Sequence, residues 1–237
     1  MRLGIMQPYF FPYLGHFELI ARSDSWVVFD VVQYNPRSWM NRNRILRHDS
    51  GWQYLQVPVV KMPRGTPVSE IVVKDLKAAR ERCLAKMQHY KRVAPYYENV
   101  HYLVSECFAR TASTRLTDLN IASLEVVCEY LELPFQHSTC SKLELNLTGI
   151  EHAGQWALRI CQRLGATAYI NPVSGRNIFV AKEWKSAGIQ INFLSPRRLI
   201  YDVADFKFEH DLSIIDVLMW CSPIKVKEHL LSEAIFT

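Results

Sequence analysis

Residues 1–47 read MRLGIMQPYFFPYLGHFELIARSDSWVVFDVVQYNPRSWMNRNRILR, and their reading decides the fold. Residues 1–6 read as a buried strand, residues 13–22 as a helix and residues 26–30 as a second strand. A polar loop then leads into Ile45. Strand, helix, strand is the pattern of a parallel α/β unit. The loop at residues 7–12 falls where a strand ends and a helix begins, which is where open parallel sheets bind ligands. It carries Gln7 and Tyr9, and Tyr13 follows it directly. The alternative is that its aromatics are core and its prolines only break the helix.

Outward from this stretch, residues 52–60 (WQYLQVPVV) alternate apolar and polar as a half-buried strand does. Residues 62–67 punctuate a turn with Gly and Pro, and residues 68–73 read as another strand. Asp75 is the expected N-cap of a helix to about residue 93, with Leu76, Ala79, Cys83 and Met87 as its apolar stripe. Residues 97–109 form a second helix. A third, capped by Thr117 or Asp118, runs to about residue 132 and is followed by a short strand at 135–140. Residues 149–164 are again helical, and Gly165 stands where a C-cap should. Strand 166–170, a loop, helix 183–187 and strand 189–194 complete a parallel unit. The expected fold class is α/β with a mostly parallel sheet. One domain spans residues 1–237, and residues 75–133 form a helical bundle insertion or subdomain.

Of the 237 residues, 49% are hydrophobic and 12% aromatic, which excludes a disordered or low-complexity chain. The net charge of +5, without a basic run, suits a small anionic ligand better than nucleic acid. The six cysteines (83, 107, 128, 140, 161 and 221) lack the spacing of a zinc knuckle or redox pair. Several fall on apolar helix faces, so reduced, buried thiols and a reducing compartment are expected. Residues 1–6 do not read as a secretory leader, and no apolar run approaches the roughly 20 residues of a spanning helix. A cytoplasmic protein without membrane insertion is expected, of open oligomeric state.

Three constellations offer chemistry. In residues 38–44 (SWMNRNR), Asn41, Arg42, Asn43 and Arg44 follow Trp39. Guanidinium forks bind phosphate or carboxylate, amides read hydroxyls, and Trp39 offers a ring to stack on a sugar or base. A surface loop of ordinary solubility residues is the bland reading. In residues 171–179 (NPVSGRNIF), backbone amides could hold an anion with Ser174, Arg176 and Asn177 beside it, or the segment is a plain turn. In residues 210–220 (HDLSIIDVLMW), Ser213 caps a helix and Asp216 either completes a near capping box or offers a carboxylate to a ligand.

For proton transfer the candidates are His16 and Asp30. Histidine titrates near neutral pH, and a carboxylate at a strand end is a common base position. His89, on a mostly apolar helix, reads better as a partly buried histidine. Lys77, Arg80, Arg82, Lys86, Lys91 and Arg92 form a solvated face or meet phosphate. No Walker loop, intact dinucleotide fingerprint, Ser-His-Asp order or metal-ligand cluster is present in the sequence. No metal is expected, and the cofactor is left unknown.

PYLGHFELI (residues 12–20) resembles the Gly-His loop of nucleotidylyltransferase-like folds, in which a first His precedes the Gly by two positions. Tyr13 stands in that place and His16 keeps the second. NPVSGRNIF is similar to the Ser-x-Arg-Asn loop of pantoate-activating ligases of that fold. The longer runs IMQPYFFPYLGHFELI, WVVFDVVQY and SWMNRNRIL, with HYKRVAPYY, AYINPVSG and LSIIDVLMW more faintly, resemble the WbqC-like family across essentially the whole chain. Val31 stands where family members often carry a second acidic residue after the one matching Asp30. The resemblance implies a bacterial cytoplasmic protein of surface-polysaccharide (O-antigen, lipopolysaccharide) biosynthesis. The activity expected from it is transfer of an acyl or aminoacyl group, from an unknown donor, to the amine of a nucleotide-linked deoxyamino sugar. A nucleotidyltransferase or ATP-dependent ligase, and a non-catalytic partner in polysaccharide assembly, are the rivals.

Overall fold

The computed structural model describes residues 1–236; Thr237, the last residue of the expected domain, lies outside the described residues. In chain order the first elements are β1 (Arg2–Met6), α1 (Leu14–Ala21), β2 (Ser25–Val28), and a hairpin of β3 (Arg42–Leu46) and β4 (Trp52–Gln56). Helices α2 (Leu76–Met87), α3 (Tyr97–Arg110) and α4 (Leu116–Tyr130) follow, then β5 (His137–Thr139), α5 (Gln155–Arg163), β6 (Ala168–Pro172) and α6 (Ala181–Ser186). The chain continues with β7 (Gln190–Ser195), α7 (Ile214–Trp220), α8 (Pro223–Leu231) and β8 (Ile235–Phe236).

The main sheet runs β5-β2-β1-β6-β7-β8, parallel except for β8. By chain order the parallel strands lie 3-2-1-4-5, the doubly wound arrangement whose connections diverge on either side of the first strand. That divergence falls between β1 and β6, which pair through Arg2 with Ala168 and Gly4 with Ile170. Strand periodicity splits the core in two. Leu3, Ile5, Val27 and Tyr169 face α5 and α6, packing with Leu158, Cys161 and Trp184. Trp26 and Val28 face the opposite layer, with Phe17, Leu19 and Ile20 of α1. Gly4 permits this packing, because a Cβ there would sit 2.3 Å from the Trp26 ring.

Residues 29–136 run between β2 and its sheet neighbour β5 and hold the hairpin and the three helices. Ala79, Cys83, Val104, Cys107, Leu119 and Val127 of those helices belong to the same apolar cluster as α1 and α7. Asp75 caps α2 as expected, accepting from Ala78 N at 2.9 Å. All six cysteines are free and buried.

Several expected elements differ. Residues 38–44 are not all loop, because Arg42 already pairs with Gln56 in the hairpin. Residues 68–73 form no ladder strand. Val68–Glu70 is a 3-10 turn whose amides go to scattered carbonyls, Val68 N to Val32 O and Ser69 N to Asp30 O. α4 starts at Leu116 without a side-chain cap. Asp118 instead accepts from the Ser113 hydroxyl. α5 starts at Gln155 rather than 149, since Gly149 has φ +68° and Gly154 lies pressed against Ile178 O.

Candidate functional site

The loop leaving β1 is held by buried polar side chains from three directions. Asn120 of α4 donates to Pro8 O and Met40 O, both at 2.8 Å. Asn43 of β3 donates to Phe10 O at 3.2 Å and Phe11 O at 2.9 Å. Ser213 Oγ donates to Phe11 O at 2.7 Å, and Ile214 N to Pro12 O at 2.9 Å. Phe11 sits at φ +40°, an unusual conformation for a residue with a Cβ. Such a conformation persists only where surrounding bonds over-determine it. Phe10 and Phe11 are fully buried, so the loop is anchored by its rings and turns Tyr9, Pro12 and Tyr13 toward the carboxyl edge of the sheet.

There, a cavity of about 420 Å³ opens between this loop, the segment after β7, the hairpin and residues 208–212. Tyr9, Tyr13 and Trp39 supply aromatic wall; Arg44, Arg197, Arg198 and His210 supply positive or protonatable groups; Glu209 and Asp211 supply carboxylates. Leu14 and Gly15, the start of α1, also line it. α1 has no side-chain cap and no acidic residue in its first turn, so its positive dipole end is left to the cavity. Gly15 is required for this shape. A Cβ there would lie 2.5 Å from the Tyr13 ring and 2.8 Å from Pro196.

The cations are committed to different degrees. Arg44 Nη2 donates to Asp211 O at 3.0 Å, and its guanidinium lies 5.3 Å from both the Trp39 and Trp52 rings. Arg197 donates from Nη2 to His229 O at 3.2 Å. The side chains of Arg198 and His210 make no hydrogen bond or ion pair among the described residues. Burial pushes the Tyr13 phenol up to about 12, with the nearby Asp211, Tyr9 and Glu18 adding to it, so it stays a neutral donor. Burial raises Tyr9 likewise.

Tyr9, Tyr13, Trp39, Asn43 and Arg44 are thus brought together in one cavity. Gln7 lies in an adjoining recess, which shares Tyr9 and Trp39 as its wall, and accepts from Tyr9 Oη at 3.2 Å. Asn41 is buried and donates to Val57 O at 2.9 Å, pinning the hairpin rather than facing ligand space. Arg42 lies 4.4 Å over the Tyr54 ring and donates to Arg37 O at 2.8 Å, outside both recesses. Arg42 and Arg44 alternate along β3, so both stack on the aromatic face made by Trp52 and Tyr54 of β4.

The two proton-transfer candidates lie elsewhere. His16 is fully buried, touches the Tyr9, Phe17 and Trp26 rings, and neither ring nitrogen has a partner. Burial pushes its pKa down to about 3, so it is neutral and sealed from solvent. Asp30 is 1% exposed and accepts from Ser141 N at 2.9 Å and Ser141 Oγ at 2.7 Å, clamping the segment after β5.

Asp216 is fully buried and accepts from Tyr201 Oη at 2.9 Å, Leu46 N at 3.0 Å and Tyr90 Oη. It completes no capping box, because the Ser213 amide donates to Arg44 O. Ser174, Arg176 and Asn177 stand exposed on the 3-10 turn Val173–Ile178, away from the cavity, with Arg176 4.8 Å over the Phe193 ring. The basic side chains of α2 and the turn after it are exposed and line neither recess.

Arg197, Arg198 and His210 escape sequence reading. The signal for the first two is PRR at 196–198, directly after the carboxyl end of β7, where parallel sheets place ligands. No cluster of His, Cys, Asp or Glu able to hold a metal occurs among the described residues, and none of the described helices is long and apolar enough to cross a membrane.

A doubly wound α/β protein with an aromatic, arginine-rich cleft at the sheet's carboxyl edge is the class these features define. The chain belongs to the WbqC-like protein family, whose model matches residues 7–228. It is similar to the "Uncharacterized protein Rv1507c" of Mycobacterium tuberculosis, 28% identical over 224 residues that cover 92% of each chain. No solved structure matches it.

Proposed function

We propose that the cleft binds a nucleotide-linked deoxyamino sugar and that the protein is a transferase acylating, or aminoacylating, its amino group in bacterial surface-polysaccharide biosynthesis. The observation that carries this reading is the cavity where the uncapped start of α1 meets Arg44, Arg198 and the rings of Tyr9, Tyr13 and Trp39. A helix start with guanidinium groups suits a diphosphate, and flat aromatic walls suit a sugar ring or base. The family resemblance supplies the sugar class and the pathway.

In the proposed step the neutral amine attacks the acyl carbon of an activated donor, a thioester or acyl phosphate. The N–C bond forms, the bond to the thiolate or phosphate leaving group breaks, and the amine proton passes to a base. His210 is the histidine that lines the cavity and takes this role in place of His16, whose nitrogens are sealed in the core. The doubly wound strand order and the Gly15-His16 pair keep an ATP-using nucleotidyltransferase as the second reading, weakened because His16 cannot meet a phosphate from the core.

Thermal-shift screening against UDP- and dTDP-linked sugars, ATP and coenzyme A tests the proposal. A nucleotide sugar should raise Tm by several degrees, and incubation of an amino-sugar form with acyl donors should give an N-acylated product by mass spectrometry. ATP consumption with pyrophosphate release would select the ligase reading instead. Absence of any product, with tight binding to another pathway enzyme, would leave a non-catalytic partner.

A further inference from the structure

We infer that the recess on the other side of Tyr9 and Trp39 is a second subsite, built for the phosphate end of a nucleotide-sized co-substrate. Its identification as the group donor's site rests on the transferase reading; its anion chemistry does not.

The recess lies beyond the carboxyl ends of β1 and β2 and has a volume of about 1100 Å³, ample for a nucleotide. Gln7, Gln33, Tyr34, Arg37 and Arg64 contribute its polar groups, and no carboxylate lines it. That separates it from the first cavity, which mixes arginines with Glu209 and Asp211. The Arg37 and Arg64 guanidinium groups are exposed and make no hydrogen bond or ion pair among the described residues. The buried Tyr34 hydroxyl also lacks a partner there.

These groups are held in place by the backbone. Tyr34 N donates to Thr66 O and Val68 N to Val32 O, both at 2.9 Å, so the loops carrying Arg37 and Arg64 are tied together. The Arg37 turn is braced by its amide to Asn35 Oδ1 at 3.0 Å, by Ser38 Oγ to Asn35 O at 2.7 Å, and by Arg42 Nη2 to Arg37 O at 2.8 Å. Two guanidinium groups without side-chain partners among the described residues, on braced loops with the Gln7 and Gln33 amides beside them, form a lining free of carboxylates. Such a lining suits a pyrophosphate. Tyr9 and Trp39 then stand between the two ligands.

Calorimetric titration of inorganic pyrophosphate into wild type, Arg37→Ala/Arg64→Ala and Arg198→Ala tests this. The double variant should bind pyrophosphate more than tenfold more weakly than wild type, through loss of a component that Arg198→Ala retains. Both arginines are exposed, so folding is unaffected, and an unchanged thermal midpoint checks it. ADP and coenzyme A, titrated the same way, separate the two sources of such an end: the one whose binding falls in the double variant is the class of co-substrate. Unchanged pyrophosphate binding in the double variant overturns the subsite. If UDP and dTDP sugars fail to bind while the Arg37/Arg64-dependent component persists, the transferase reading fails and the anion subsite stands.

Discussion

The His16 ring, fully buried among aromatic rings with neither nitrogen bonded, ties this protein's stability to pH. Its pKa falls from an ordinary 6.5 to about 3 in the folded state, because burial disfavours the imidazolium. Below pH 6.5 the unfolded chain therefore takes up a proton that the folded chain refuses, and stability falls as pH drops until about 3. His16→Leu removes that proton. Between pH 7 and pH 5, wild type should lose about 2 kcal/mol more stability than the variant in urea denaturation. Equal losses would mean the ring is hydrated. The variant should also keep ligand binding, since His16 lines neither recess. Reading His16 as a base from its residue type fails for a physical reason. The spacing places the residue at the helix start, but the side chain turns under the helix toward Trp26, and sequence alone does not show that rotation.

At the scale of elements, Gly15 sets how closely α1 approaches the segment after β7. Gly15→Ala should cost about 1–3 kcal/mol and reduce nucleotide-sugar binding, because Tyr13 or Pro196 must move into the cavity. A variant with wild-type Tm and affinity would show the approach is slack. The parallel strands of the main sheet, the α1 turn and the Asp75 cap are legible because apolar periodicity and cap chemistry act locally. Val68–Glu70 is not, because its Val68 and Ser69 amides cross between loops and find acceptors at Val32 and Asp30, far from any ladder. The SWMNRNR stretch is half legible. Its residue types point to a ligand, yet only the folded chain shows that Arg44 reaches the cavity and Arg42 does not, while Asn41 and Asn43 give their amide donors to backbone carbonyls.

For the whole molecule, Asp216 is the junction. It joins α7 to the hairpin through Leu46 N, to the turn after α2 through Tyr90, and to the segment before α7 through Tyr201. Asp216→Ala would leave the Leu46 amide and the Tyr201 hydroxyl without an acceptor, each costing about 1–3 kcal/mol, while Tyr90 Oη keeps Leu46 O at 3.4 Å. A stability loss of about 2 kcal/mol or more is expected by chemical denaturation; a loss under about 1 kcal/mol would mean these donors find other acceptors. Nothing near Asp216 in sequence reveals this, since Leu46 and Tyr90 lie 170 and 126 residues away along the chain. The same long-range closure brings PRR after β7 beside the loop after β1, which is why the place of Arg198 in the cleft is visible only in the folded chain. Arg198 is exposed and bonded to nothing among the described residues, so its removal leaves the fold untouched. Calorimetric titration of UDP- and dTDP-linked sugars into wild type and Arg198→Ala is therefore the most direct measurement. Binding in wild type that weakens about tenfold in the variant, and weakens further with added salt, is the predicted result. Equal dissociation constants for the two proteins would contradict an anion site at the sheet's carboxyl edge.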